Sequence, residues 1–253
     1  MVVRTLQKNH QKLKYQMLKI KHSANSRGLA NHGWLKSSHS FSFANYYNAE
    51  RMNFGALRVL NDDIVQPKMG FGTHPHQNME IISIPLKGTL SHKDSMNNIR
   101  SLEVNEVQVM SAGTGLTHSE FNDSKTDEVH FLQLWIIPEK LGITPYYNQK
   151  IFNPESRKNK FQTLVSPRTN HVKGSLTINQ QAYISITDLD VGVYLEYKLH
   201  NAAYFFVISG KVVIENEELT DRDALGVTLT NNVSLRATSK AKLIVIDVPI
   251  DLF

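Results

Sequence analysis

A chain of 253 residues, 41% hydrophobic and 20% charged, is long enough for one large core or two ordinary ones, and its composition excludes a disordered polymer. No apolar run approaches the roughly 20 residues of a membrane-spanning helix, and the absence of cysteine leaves His and carboxylate as the available metal donors while fitting a reducing, cytoplasmic compartment. The formal charge of +5 is local: six of the 28 basic residues fall in residues 1–22, which hold no acid, so 22 remain to face 23 acids and the body argues against nucleic acid as a partner.

Met1–Gln16 lacks the apolar core of a secretory signal; it is expected to be a basic extension outside the folded domains, which would begin at Met17. Lys21–Tyr47 shows no helical periodicity, and Ser38–Phe43 alternates as a strand does. From Gly55 the pattern is steadily β. Ala56–Val59, Glu80–Pro85, Thr89–His92, Val104–Met110 and Leu132–Ile137 are short branched-apolar runs, separated by the turn tokens Asn61-Asp62-Asp63, Lys87-Gly88 and Asn97-Asn98. Pro138–Pro154, punctuated by Pro138, Gly142, Pro145 and Pro154, breaks the rhythm and predicts a crossover, with domains at 17–150 and 151–253.

The pattern then restarts in Ala182–Thr187, Tyr194–Leu199, Tyr204–Ile208, Lys211–Ile214 and Leu243–Val248. Ile208-Ser209-Gly210-Lys211 sits between apolar runs much as Leu86-Lys87-Gly88-Thr89 does in the first half. This weak repeat predicts an all-β protein of two β-barrel domains with few short helices.

Chemistry concentrates in two pairs, His74-Pro75-His76 and His118-Ser119-Glu120. Residues two apart in a strand share a face, so each pair aims two donors at one volume. If the two strands face each other in a small barrel, three imidazoles and a carboxylate converge on one divalent ion with positions left open. Pro75 requires a strand start or edge, where no backbone donor is missed, and Ser111–Gly115 lets the backbone turn tightly before His118. Glu80 has the same parity as Glu120 and competes for the carboxylate role.

In the second half His171 and His200 belong to no such pair, so that domain is expected to carry no metal. His92 and His130 read as ordinary histidines and Lys93-Asp94 as a solvated turn pair. Phe41, Phe43, Phe54, Phe71 and Phe121 could line a mouth for a flat substrate or simply pack the core.

These residues resemble the cupin signatures: Gly70 or Gly72 with His74, His76, Glu80 and Gly88, then Gly115, His118 and Asn122. The early Gly lies nearer to His74 than the general pattern asks, and Gly113 stands where it has proline. Both departures are shared with the pirin family, to which His32-Gly33-Trp34, His39–Phe43, Gly72–His76, His92–Ser95 and Ser111–Glu120 are very similar. The resemblance runs from about Leu18 to the C-terminus, loosely in the second half. It implies a bicupin whose single metal is held by His74, His76, His118 and Glu120, with Glu80 outside the ligand set, orienting an imidazole or lying at the core rim. It also implies a monomeric dioxygenase that opens flavonols such as quercetin with O₂ and releases carbon monoxide, Glu120 acting as base. Fe(II) suits that donor set best, and Ni, Mn, Cu, Co or Zn would also be accepted. The other role associated with pirins is that of a metal-dependent redox sensor acting on a transcription-factor partner.

Overall fold

The computed structural model describes residues 17–251, so the expected extension at Met1–Gln16 lies outside the described residues. The first half contains β1 (Leu18–His22), β2 (Gly28–Asn31), β3 (Leu35–His39), β4 (Leu57–Val65), β5 (Gly70–His76), β6 (Glu80–Lys87), β7 (Leu90–Asp94), β8 (Ile99–Leu102), β9 (Glu106–Ser111), β10 (Leu116–Phe121), β11 (Val129–Ile136) and β12 (Tyr146–Ile151). The second contains β13 (Gln162–Pro167), β14 (Leu176–Ile178), β15 (Tyr183–Leu189), β16 (Tyr194–Lys198), β17 (Ala202–Ser209), β18 (Val212–Ile214), β19 (Glu217–Leu219), β20 (Ala224–Thr228), β21 (Asn232–Ala237) and β22 (Ala241–Val248). Among the described residues the only helical turns are 3₁₀ segments at Ala24–Ser26 and Pro154–Arg157, and no helix is long and apolar enough to cross a membrane.

Each half is a barrel made from a seven-stranded and a four-stranded sheet. The first pairs β12-β9-β6-β11-β4-β3-β2 with β5-β10-β7-β8, and the second pairs β1-β20-β17-β22-β15-β13-β14 with β16-β21-β18-β19. β1 crosses over: Leu18 to His22 pair antiparallel with Thr228 to Ala224, so residues that lead into the first half complete the sheet of the second. Tyr146–Ile151, inside the predicted crossover, is instead a strand that pairs with β9.

The two large sheets pack back to back. Because side chains alternate across a strand, one face of β4, β6, β9 and β11 gives Leu60, Ile82, Val109 and Leu134 to a core shared with Ile184, Tyr204, Phe206 and Ile246 of the second half. Strands buried on both faces read as continuous apolar runs, which is why they are legible in the sequence.

The inner faces differ. The second barrel is filled by Phe205, Val207, Leu225, Val227, Leu243 and Val245. In the first barrel the equivalent face carries a polar row: Ser37 and His39 on β3, Asn61 and Asp63 on β4, Gln133 on β11, Ser83 on β6, all buried. Asn61-Asp62-Asp63 is therefore no turn; it lies in the middle of β4. Its polarity is answered from both sides. Asn61 meets His39 and Asp63 meets Ser37 inside the barrel, while Asp62 points the other way to Arg27, His130 and Arg222. The predicted strand at Ser38–Phe43 is shifted as well, since β3 ends at His39 and Phe43 makes only an isolated bridge to Tyr46.

Candidate metal centre

β5 is the edge strand of the small sheet, which accommodates Pro75 because its outer side needs no backbone donor. The two histidine-bearing strands do not face each other across the barrel, as expected from the sequence, but are hydrogen-bonded neighbours. His118 pairs with His74, Thr117 with Pro75 and Leu116 with His76. Direct cross-strand pairing brings side chains together as closely as opposed strands would. Between His118 and Glu120 the register shifts, Glu120 pairing with Phe71, and such irregularities re-aim side chains beside functional sites.

Ring centroids of His74, His76 and His118 lie 4.5 to 4.9 Å apart, and a nitrogen from each lies within 4.8 Å of the other two. The His74 Nδ1–H donates to the Gly72 carbonyl at 2.7 Å, which leaves Nε2 as the free donor atom. Burial, reinforced by neighbouring imidazoles, lowers the pKa of His118 to about 2 and that of His76 to about 4, so both are neutral at physiological pH. Neither ring nitrogen of the buried His118 has a hydrogen-bond partner. Native interiors rarely leave such atoms unpaired, and a divalent metal supplies the missing partner: the residues present fit one.

Glu120 does not join that three-histidine group; its carboxylate groups instead with His118 and His92. It is fully buried, and burial raises its pKa against the hydrogen bonds that Gln133 Nε2 donates at 2.7 Å and Ser83 Oγ at 3.3 Å. His92 is no alternative ligand. Its Nε2 is 3.1 Å from the Asp94 carboxylate, its Nδ1 accepts from Gln108 Nε2 at 3.2 Å, and its ring packs on Tyr147. Asp94 is accordingly buried, accepting also from the Met96 and Asn98 backbone, rather than half of a solvated turn pair.

Glu80 lies on the opposite face of β6, beside Ile82 and Ile84, where Ser111 Oγ donates to it at 2.5 Å and Asn179 Nδ2 at 3.1 Å. It orients no imidazole and instead ties the first large sheet to the second half. His200 stacks on Tyr183, ring centroids 3.8 Å apart.

Above the histidines opens a cavity of about 390 Å³ lined by His74, His76 and Glu120. Its walls are two edge-to-face aromatic pairs, Trp34 with Phe71 and Phe43 with Trp135. Of the five phenylalanines considered from the sequence, only Phe43 and Phe71 line it. Phe41 and Phe54 belong to the shared core, and Phe121 is exposed on the far side. Gln133, which also accepts from Trp135 Nε1 at 3.2 Å, and the polar row beside it were missed. Their signal was polar residues interrupting otherwise apolar strands.

The comparisons agree with this geometry. The pirin family model matches residues 21–136, and the model of the quercetinase C-terminal cupin domain matches residues 163–248. A protein named quercetin 2,3-dioxygenase from Escherichia coli K12 is 42% identical over 231 residues, covering 89% of this chain and 96% of the relative. A pirin-like protein of Caulobacter vibrioides is 36% identical over 222 residues, covering 87% and 95%. The crystal structure of the Escherichia coli bacterial pirin YhhW in complex with nickel(II) superposes with a TM-score of 0.86 at 39% identity, covering 92% of this chain and 99% of that one. With a two-barrel fold, a histidine triad in the first barrel alone among the described residues, and relatives matching over nearly their whole length, the chain belongs to the pirin family.

Proposed function

We propose that the chain is a metal-dependent dioxygenase that opens flavonol-type substrates with O₂ and releases carbon monoxide. The observation that carries the reading is the unpartnered, neutral His118 grouped with His74 and His76, the two of the three that line an aromatic-walled cavity. His74, His76 and His118 would hold the metal, and Glu120, which stands outside that group of three but neighbours His118 and lines the same cavity, would turn to it as the fourth donor. Fe(II) suits this mixed N/O set, and Ni, Mn, Cu, Co and Zn share its ligand preferences. A bound divalent ion supplies Lewis acidity, lowering the pKa of a coordinated substrate hydroxyl.

The protein's own groups do the rest. Trp34, Phe43, Phe71 and Trp135 present flat apolar surfaces that orient an aromatic ring system and exclude water. Glu120, whose pKa burial has raised, takes the hydroxyl proton as general base. Gln133 and Ser83 hold that carboxylate in place, and Gln133 simultaneously fixes the Trp135 indole.

Quercetin-dependent O₂ uptake by metal-loaded protein, with metal-stripped protein as control and carbon monoxide trapped from the headspace, tests the reading. Stoichiometric uptake and release are expected. A metal-replete protein that binds quercetin without consuming O₂ would refute it and favour the alternative role of a metal-dependent redox sensor.

A further inference from the structure

The polar row does not stop at Gln133. It continues across β4 and β3 as Asn61, Asp63, Ser37 and His39, all of which line the cavity. Two strand spacings of about 4.8 Å put β3 roughly 10 Å from the strand of Gln133. Gln133, the partner of Glu120, pairs in register with Asn61, and Asn61 in turn with His39.

The hydrogen bonds of this cluster leave acceptors to spare. Ser37 Oγ is bonded to one Asp63 oxygen; burial raises the Asp63 carboxyl to about 7, so near neutral pH both forms are present, and its second oxygen accepts from a ligand hydroxyl when ionised or donates to one when protonated. His39 Nδ1 is 2.9 Å from the Asn61 carbonyl oxygen, which requires that nitrogen to carry the proton and makes Nε2 an acceptor. Burying a carboxyl and an imidazole is unfavourable unless they are fully bonded. The architecture does not require them, since the second barrel fills the equivalent face with Phe205, Val207 and Leu225.

The geometry points to Asp63 and His39 as a second polar anchor, binding a substrate hydroxyl remote from the one at the metal centre. The chain would then select polyhydroxylated flat aromatics over singly hydroxylated ones. This rests on the cavity being the flavonol site proposed above. Trp34 and Phe71, packed edge to face, would form one wall for the intervening rings to lie against.

The test is anaerobic binding to metal-loaded protein, so that turnover plays no part, with quercetin and 3-hydroxyflavone as probes; the second keeps the metal-directed hydroxyl and lacks the others. The wild-type chain is expected to prefer quercetin by about tenfold or more, as a site built to bond a hydroxyl does. Asp63→Val should reduce that preference to about twofold while leaving 3-hydroxyflavone affinity and metal content unchanged. Ser37→Ala and Asp63→Asn, which keep shape, should give intermediate losses and serve if the valine variant fails to fold. Equal affinity for the two probes, or a preference untouched by any of these variants, overturns the anchor and leaves the dioxygenase reading standing. A preference that is present and lost in the variants, in a protein that consumes no O₂, keeps the anchor and removes the dioxygenase. Failure to bind either probe removes both.

Discussion

His118 stands directly opposite His74 in the β5–β10 register, their ring centroids 4.5 Å apart, and it is the one of the pair with no hydrogen-bond partner at either nitrogen. Metal should therefore stabilise the fold through this residue. Adding Fe(II) or Ni(II) to stripped protein at about 100 times Kd should contribute about 2.7 kcal/mol, seen as a rise in Tm of several degrees. His118→Ala should bind metal at least about 100-fold more weakly and show no such rise. A metal-induced shift of normal size in that variant would contradict the assignment.

In the proposed mechanism Glu120 is the base and Gln133, whose Nε2 donates to it at 2.7 Å, its positioner. Glu120→Gln should keep part of its metal and lose turnover far more than substrate affinity, the pattern of a group acting in the transition state. Gln133→Leu should lower kcat by about 10- to 100-fold with metal retained, the usual cost of removing a residue that orients a ligand. Steady-state kinetics with parallel metal analysis checks both, and a KM effect exceeding the kcat effect in either variant would count against these roles.

Glu80, the rival carboxylate by sequence, and His200, expected from the sequence to hold no metal, should both behave as structural residues. Glu80→Gln disturbs the bonds from Ser111 and Asn179 and should cost about 1–3 kcal/mol of stability, with metal stoichiometry unchanged. His200→Ala removes only a ring stacked on Tyr183 and should leave metal content and turnover alone. Loss of metal in either variant would show that the site extends further than the three histidines and Glu120.

Asp62 gives the fold an acid limit. Burial would raise its carboxyl, but the hydrogen bond from His130, the charge of Arg222 and the contact with Arg27 outweigh burial and hold the pKa at about 2 against an ordinary 3.8. A depressed carboxylate stabilises the folded state fully above its unfolded pKa and loses that contribution as pH falls from 3.8 towards 2. The effect is about 2 kcal/mol. Thermal melts of Asp62→Asn should show a Tm already lowered at pH 7, by the equivalent of roughly 3 kcal/mol, and a weaker dependence on pH between 4 and 2 than wild type. Parallel pH profiles for the two proteins would dismiss the clamp.

The His74–His76 pair was legible because same-face spacing in a strand is a local property; that His118, 42 residues further on, stands beside it depends on the pairing of β5 with β10. The barrels were legible because strands buried on both faces, such as Leu243 to Ile246, read as apolar runs. What stayed hidden depends on partners far along the chain. Asn61-Asp62-Asp63 has the composition of a turn, and only Ser37, His39, Arg27, His130 and Arg222, brought in by β3, β11 and the second barrel, make it tolerable as the centre of a strand. Asp94 looked solvated for a different reason: its partners, the Met96 and Asn98 backbone and His92, are close in sequence, but a charged pair such as Lys93-Asp94 does not by composition show which of its members the turn folds inward. Glu80 and Glu120 have equal parity relative to their histidines, and what separates them is which face of its own sheet each strand turns towards the cavity.

The pairing of β1 with β20 joins Leu18 to Thr228 and His22 to Ala224. During synthesis β1 can dock only after the more than 200 residues up to β20 have followed it, and until then its apolar residues Leu18 and Ile20 have no sheet to join. Folding that closes such a long loop is slow and leaves an unpaired edge on Ala224–Thr228 while it waits. A nascent or truncated chain lacking the last barrel therefore exposes a strand with no address, and the half that carries the histidine triad reaches the finished protein only together with the other.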